Sequence, residues 1–99
     1  MHAKMRVEAN CSYKAHIPQM LTVPGKLILD DHTIVFKAYG KDHTPFDLQF
    51  DTDKVVRYKQ SKGLLGGKLF IYYNDHEWYK FRHFSKEDLK AINVVLKIN

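Results

Sequence analysis

The sequence has little cysteine and no long apolar run, and each shortage excludes a class of protein. Its single cysteine, Cys11, cannot form a disulfide within the chain, which is typical of proteins in a reducing cytoplasm. Its apolar runs are only a few residues long, so the sequence predicts no transmembrane span. No apolar stretch of a secretory signal peptide follows Met1. We therefore expect a cytoplasmic protein, or one that lies peripherally at a membrane.

The sequence also lacks the motifs of metal sites and of nucleophilic catalysis. Its six histidines form no His-x-His or His-Glu-x-x-His spacing, and no Gly-x-Ser-x-Gly occurs. Three Asp-His dipeptides, at 31–32, 42–43 and 75–76, fall in predicted turns, where aspartate commonly bonds its own backbone. Because no nucleophile–base pair or metal-ligand set can be assembled, we predict a protein that is not an enzyme and uses no cofactor or metal.

The glycine-rich segment KGLLGGKL, residues 62–69, is not a P-loop. Gly63 to Gly67 is one residue short of the required spacing, and Lys68 is followed by Leu69 instead of a serine or threonine. The aromatic and β-branched residues that follow predict a strand, not a helix. We interpret the segment as a hairpin whose glycines supply positive φ values. Its tip, Leu64 and Leu65, either packs locally or contacts a partner.

Alternation of apolar and polar residues dominates what the sequence does contain. Between Arg6 and Lys14 the odd positions are apolar or aromatic, which predicts a strand with one buried face that includes Cys11. After Ser85, a predicted N-cap, apolar residues follow at helical spacing. The helical face comprises Leu89, Ile92, Asn93 and Leu96. The predicted strands span residues 6–14, 25–30, 33–39, 45–51, 54–60, 68–74 and 77–82.

This order of elements indicates the fold class. Seven short antiparallel strands followed by one C-terminal helix predict a mainly β barrel whose open end is covered by the helix. A chain of 99 residues with 44% hydrophobic residues is enough for one core, so residues 1–99 are predicted to form a single domain.

The sequence resembles the GRAM and bacterial PH-like branch of the pleckstrin-homology superfold. The resemblance is carried by segments 8–10, 25–29, 34–37, 63–69, 79–82 and 84–88, in this order and spacing. It implies a seven-stranded barrel or sandwich of two sheets, capped by a C-terminal α-helix. It further implies a non-catalytic binding or adaptor module, because this superfold hosts lipid, peptide and protein binders.

In that superfold the loops after strands one, three and six gather at one end, the mouth of the barrel. On this chain those loops are 15–24, 40–44 and 74–76. With a net charge of +5, the mouth is expected to bind an acidic protein or peptide, or an anionic lipid head group, weakly and better below a pH of about 6.5. The expected ligand-binding residues are Lys14, His16, Lys26, Lys41, His43 and His76.

A second interpretation is a basic nucleic-acid-associated protein. Trp78, Lys80 and Arg82 alternate on the outer face of the last strand, beside Phe70 and Tyr72, and cations interleaved with aromatic rings can stack bases. The sequence favours the simpler interpretation that the helix or the first strand covers these rings and that the cations contact them. The expected partner is thus a protein or an anionic membrane surface, and the expected state is a monomer or a weak homodimer.

Overall fold

Seven antiparallel strands form one curled sheet in the computed structural model, which describes residues 6–14, 22–40, 47–63 and 66–98. One α-helix, α1 (Lys86–Leu96), follows the last strand, and a 3₁₀ turn spans Thr52–Lys54. The predicted set of seven strands and a C-terminal helix is confirmed, with ends that differ by a few residues. The strands are β1 (Val7–Lys14), β2 (Thr22–Leu29), β3 (Thr33–Ala38), β4 (Leu48–Asp51), β5 (Val55–Gly63), β6 (Gly66–Tyr73) and β7 (Trp78–Phe84).

The strand order makes the sheet a half-barrel. The order is β4-β3-β2-β1-β7-β6-β5. The first and last strands of the sequence, β1 and β7, are therefore hydrogen-bonded neighbours in the middle of the sheet. The edge strands β4 and β5 are connected by only the three residues of the 3₁₀ turn, which forces the two ends of the sheet towards each other. The half-barrel therefore has an inner face that encloses the core and an outer face.

Alternating side chains build the core on the inner face. Ala9, Cys11 and Tyr13 are buried on β1, as the alternation predicted. The ring of Tyr13 lies 5.4 Å from the ring of Phe81 and 5.7 Å from that of Phe36, so the aromatic rings pack across the curl of the sheet. Such pairs add to the stabilisation from burial.

The helix α1 closes one end of this core. Ser85 is its N-cap, and the hydroxyl oxygen accepts a hydrogen bond from the backbone N–H of Asp88 at 3.1 Å. Leu89, Ile92 and Val95 are buried, whereas Leu96 is only half-buried. The predicted face is thus confirmed for Leu89 and Ile92, and Leu96 packs against the core at its edge, but the prediction missed Val95.

Glycine allows the helix to approach the sheet. A Cβ atom at Gly67 would lie 2.7 Å from Cδ2 of Leu89, too close for any side chain without a shift of the leucine. Gly63 pairs with Gly66, which has a φ of 108°, so β5 and β6 form the predicted glycine hairpin. Leu64 and Leu65 lie outside the described residues.

A bulge in β5 changes the face of one apolar residue. The strand predicted at residues 54–60 carries both Val56 and Tyr58. In the structure the register with β6 shifts between Val55 and Arg57, which leaves Val56 as the extra residue of a bulge. Val56 is therefore 62% exposed, whereas Tyr58 packs against the core. A bulge places an extra residue in one strand and alters the alternation locally.

Candidate anion-binding face

Strands β1, β7, β6 and β5 present a set of cations and aromatic rings on the outer face of the half-barrel. In one cross-strand row Lys14 pairs with Lys80, Lys80 with Phe70, and Phe70 with Lys59. Neighbouring strands are about 4.8 Å apart, so the side chains of the row lie next to one another. Flanking rows add further members. The basic–aromatic face comprises Lys14, Arg57, Lys59, Lys68, Phe70, Tyr72, Trp78, Lys80 and Arg82.

The local sequence explains why these side chains share a face. Tyr13, Ile71 and Phe81 are buried on the inner side of β1, β6 and β7, and the residues on either side of them must then point outwards. Arg57 pairs with Tyr72, and Tyr72 with Trp78, which gives a second row parallel to the first.

The cations of this face repel one another. The charge of Arg82, desolvation, and the charges of Lys80 and Lys68 lower the pKa of Lys14. Among the described residues, the ion pairs formed by carboxylates involve Glu8, Asp31 and Asp51, and no cation of the basic–aromatic face takes part in them. A bound anion would relieve this repulsion.

Arg82 contributes its guanidinium to the face. Its Nε atom is buried and donates to none of the described residues. Leaving a buried polar group without a partner costs roughly 1–3 kcal/mol, and more where the group is charged. An anionic oxygen next to this guanidinium would satisfy the donor.

The aromatic rings form the apolar part of the face. The rings of Tyr72 and Trp78 lie 4.9 Å apart, inclined by 37°, and Phe70 is placed between Lys59 and Lys80 by the strand register. A depression of about 340 Å³ is lined by Lys59, Phe70, Trp78 and Lys80. The rings are half-buried, so they form a floor and do not protrude.

Neither the helix nor the first strand covers these rings, contrary to the interpretation that the sequence favoured. β1 lies beside β7 within the sheet, not over it. α1 packs with Leu89 against Gly67, whose neighbour across the sheet, Phe84, is buried on the inner side. Within the described ranges the basic–aromatic face is thus accessible from outside.

Of the six residues predicted to line the mouth of the barrel, the structure describes Lys14, Lys26 and His76. Lys14, at the end of β1, belongs to the basic–aromatic face. Lys26 lies on β2, where its Nζ atom is 3.1 Å from Oε1 of Glu8. That contact, followed by the charge of Arg6, lowers the pKa of Glu8. Lys26 therefore already has a carboxylate partner.

His76 lies in the turn between β6 and β7. Its Nδ1 atom is 3.4 Å from the hydroxyl oxygen of Tyr72, so this histidine borders the basic–aromatic face. The strand directions place the β1–β2, β3–β4 and β6–β7 connections at the same end of the strands. The other three predicted ligands, His16, Lys41 and His43, lie outside the described residues.

Sequence reasoning missed three cations of this face, Arg57, Lys59 and Lys68. Arg57 and Lys59 alternate along β5, and this spacing was a usable signal. Their position opposite Tyr72 and Phe70 depends on the hairpin register, which the pairing of Gly63 with Gly66 sets.

Two negative findings concern membranes and metals. Within residues 6–14, 22–40, 47–63 and 66–98, no helix has the length and apolar character needed to cross a bilayer. The same part of the chain holds no cluster of three or more histidine, cysteine, aspartate or glutamate side chains arranged for a metal ion.

Comparison with known proteins supports the fold alone. No family model matches the chain, and no curated protein matches it. The crystal structure of the C-terminal domain of an unknown protein from Leishmania infantum is similar, with a TM-score of 0.69 and 12% identity. The match covers 91% of this chain and 78% of that chain. The half-barrel with its C-terminal helix thus occurs in a solved structure of very different sequence.

Proposed function

We propose that this protein is a non-catalytic binding module of the pleckstrin-homology superfold. Seven antiparallel strands in a half-barrel closed by a C-terminal helix support this assignment, together with the sequence segments that resemble the GRAM and PH-like branch. In this proposal β1–β4 and β5–β7 correspond to the two sheets of that superfold, joined where β1 pairs with β7.

The ligand that this face fits best is single-stranded nucleic acid. The observation that carries the proposal is the row Lys14–Lys80–Phe70–Lys59, in which three cations flank one aromatic ring next to the Tyr72–Trp78 pair. Proteins that bind single strands combine a basic surface for phosphates with aromatic rings on which bases stack.

The shape of the face favours nucleic acid over a membrane. Peripheral membrane binding combines electrostatic attraction with apolar side chains that enter the lipid. The exposed large apolar side chains of the described residues are Tyr39, Val56 and Val94, none of which belongs to the basic–aromatic face. An acidic peptide would use the cations and leave the rings without a role. Nucleic acid uses both.

Tryptophan fluorescence tests this proposal directly, because Trp78 is the only tryptophan of the chain. We expect titration with a single-stranded oligothymidylate to quench the emission of Trp78 as bases stack on the face. A Lys59→Ala/Lys80→Ala variant should bind at least about fivefold more weakly, because two phosphate contacts are lost.

The matched control removes the same charge elsewhere. Lys37 lies on β3, and Lys54 pairs with Asp51, so Lys37→Ala/Lys54→Ala should bind the oligonucleotide nearly as well as the unmodified protein. Equal weakening by both double variants would contradict a site on this face. Binding to vesicles of phosphatidylserine and phosphatidylcholine, without binding to the oligonucleotide, would assign the face to anionic lipid instead.

A further inference from the structure

A separate cavity lies on the inner side of the sheet, between the β5–β6 hairpin and the start of α1. It encloses about 340 Å³, at the lower end of the range of about 300–1,000 Å³ typical of small-molecule sites. Gly66 and Gly67 contribute backbone to it, and Phe84 and Leu89 contribute an apolar wall. We call it the hairpin–helix cavity.

Lysines surround this cavity. Lys62 reaches it from the end of β5, and Lys86 and Lys90 reach it from α1. All three are exposed and form no ion pair with a described residue. The rim of the cavity therefore offers positive charge to an anion.

The lysines of α1 share one face of the helix with the apolar wall of the cavity. Lys86, Leu89, Lys90 and Asn93 follow one another at the three- and four-residue intervals that share one face of a helix. Glu87 and Asp88, the acidic residues of the first turn, do not line the cavity. The lining of the cavity includes no carboxylate among the described residues.

Asn93 supplies the third chemical feature of the cavity. Its Oδ1 atom is buried and accepts a hydrogen bond from none of the described residues, although the side chain lines the cavity. A buried acceptor without a donor is unfavourable by roughly 1–3 kcal/mol. A ligand with an N–H group at this point would satisfy it.

We propose that the hairpin–helix cavity binds an N-acylated amino acid group with an apolar side chain. Its carboxylate would pair with Lys86 and Lys90, its side chain would pack on Phe84 and Leu89, and its N–H would donate to Asn93 Oδ1. This chemistry occurs in free N-acyl amino acids and in the C-terminal residue of a peptide. The site is independent of the basic–aromatic face, which lies on the opposite side of the sheet.

Matched probes test the carboxylate contact and the N–H contact separately. We expect N-acetylleucine to shift the backbone amide resonances of Gly66, Gly67 and Lys90 in a nuclear magnetic resonance titration. N-acetylleucine amide lacks the carboxylate and 4-methylpentanoate lacks the acetamido group with its N–H, so both should bind at least about tenfold more weakly, a difference of about 1.4 kcal/mol. A short peptide that ends in leucine, compared with free N-acetylleucine, shows which source binds more tightly.

Two variants decide the result. Asn93→Leu should abolish the shifts and at the same time raise the melting temperature, because it replaces an unsatisfied buried acceptor with an apolar group of similar size. Lys86→Ala/Lys90→Ala should weaken binding about tenfold or more, whereas Lys37→Ala/Lys54→Ala and Lys59→Ala/Lys80→Ala should leave it unchanged. The proposal is wrong if N-acetylleucine causes no shifts at millimolar concentration, or if its amide binds as tightly.

Discussion

Lys14 and Lys26 were both predicted to bind a ligand at the mouth of the barrel, but they have different electrostatic surroundings. Lys26 contacts the carboxylate of Glu8 at 3.1 Å, and Arg6 also contacts that carboxylate, at 3.2 Å. Lys14 has cations as neighbours, and these lower its pKa. Only the charge of Lys14 is therefore available to a ligand without the loss of an existing ion pair.

This difference predicts unequal effects on oligonucleotide binding. Lys14→Ala should weaken binding several-fold, because the variant loses a cation of the basic–aromatic face. Lys26→Ala should have a smaller effect, since Lys26 already pairs with Glu8 and does not belong to the basic–aromatic face. Trp78 fluorescence titrations of the two single variants measure the contrast. A greater loss in Lys26→Ala would contradict the placement of the site.

Cys11 is a structural residue whose thiol responds to alkaline pH. Burial is the main cause that raises its pKa from the usual 9.0 to about 12, and the charge of Asp88 adds to the effect. The folded protein therefore holds this proton more strongly than the unfolded chain. The stabilisation is fully present below pH 9 and is lost progressively as pH rises from 9 towards 12.

We accordingly expect the free energy of unfolding to fall between about pH 8 and pH 10 by more in the unmodified protein than in Cys11→Ala. Tyr58, whose pKa burial raises from 10.0 to about 12, contributes in both proteins at higher pH and so does not affect the comparison. Urea unfolding at the two pH values provides the measurement. Equal losses in the two proteins would show that the thiol does not titrate differently on unfolding.

At the scale of elements, the helix α1 shows where sequence periodicity stops being sufficient. Its apolar spacing correctly predicted an amphipathic helix and its N-cap, but it missed Val95, which is more deeply buried than the predicted Leu96. Both spacings fit one face of a helix, and the choice depends on how the helix lies across β1 and β6.

Adjacent valines of this helix provide a matched test. Val95 is 5% exposed and Val94 is 60% exposed. Val95→Asp should destabilise the protein by roughly 3 kcal/mol or more, because it removes a buried apolar group and buries a carboxylate without a partner. Val94→Asp should change the stability by less than about 1 kcal/mol. Thermal unfolding of the two variants checks the prediction, and similar melting temperatures would mean that α1 is not docked in this orientation.

For the strands too, the sequence predicted which side chains face inwards but not how neighbouring strands are paired. Alternation identified the inner residues of β1, because a strand carries its own two-residue pattern. The bulge at Val56 interrupts the pattern of β5, and the cross-strand position of Lys59 depends on the hairpin register. Single-strand patterns contain neither piece of information.

At the scale of the whole molecule, topology assembles the basic–aromatic face from both ends of the sequence. Lys14 and Lys80 are neighbours only because β1 pairs with β7. The sequence resemblance implied a barrel with its ligand site at the mouth, whereas the basic–aromatic face lies on the outer surface of the sheet. The net charge of +5 is thereby shown to include a dense group of cations on one side of the sheet.

The density of these cations predicts that oligonucleotide binding depends strongly on salt concentration. If the cations neutralise phosphates, the logarithm of the binding constant should fall linearly with the logarithm of salt concentration, by about 0.7 for each phosphate contacted on a single strand. Lys59→Ala/Lys80→Ala should therefore flatten the slope by about 1.4, whereas Lys37→Ala/Lys54→Ala should leave it unchanged. Trp78 fluorescence titrations over a range of salt concentrations measure both slopes. A weaker affinity with an unaltered slope would mean that these lysines support the face sterically and do not contact phosphate.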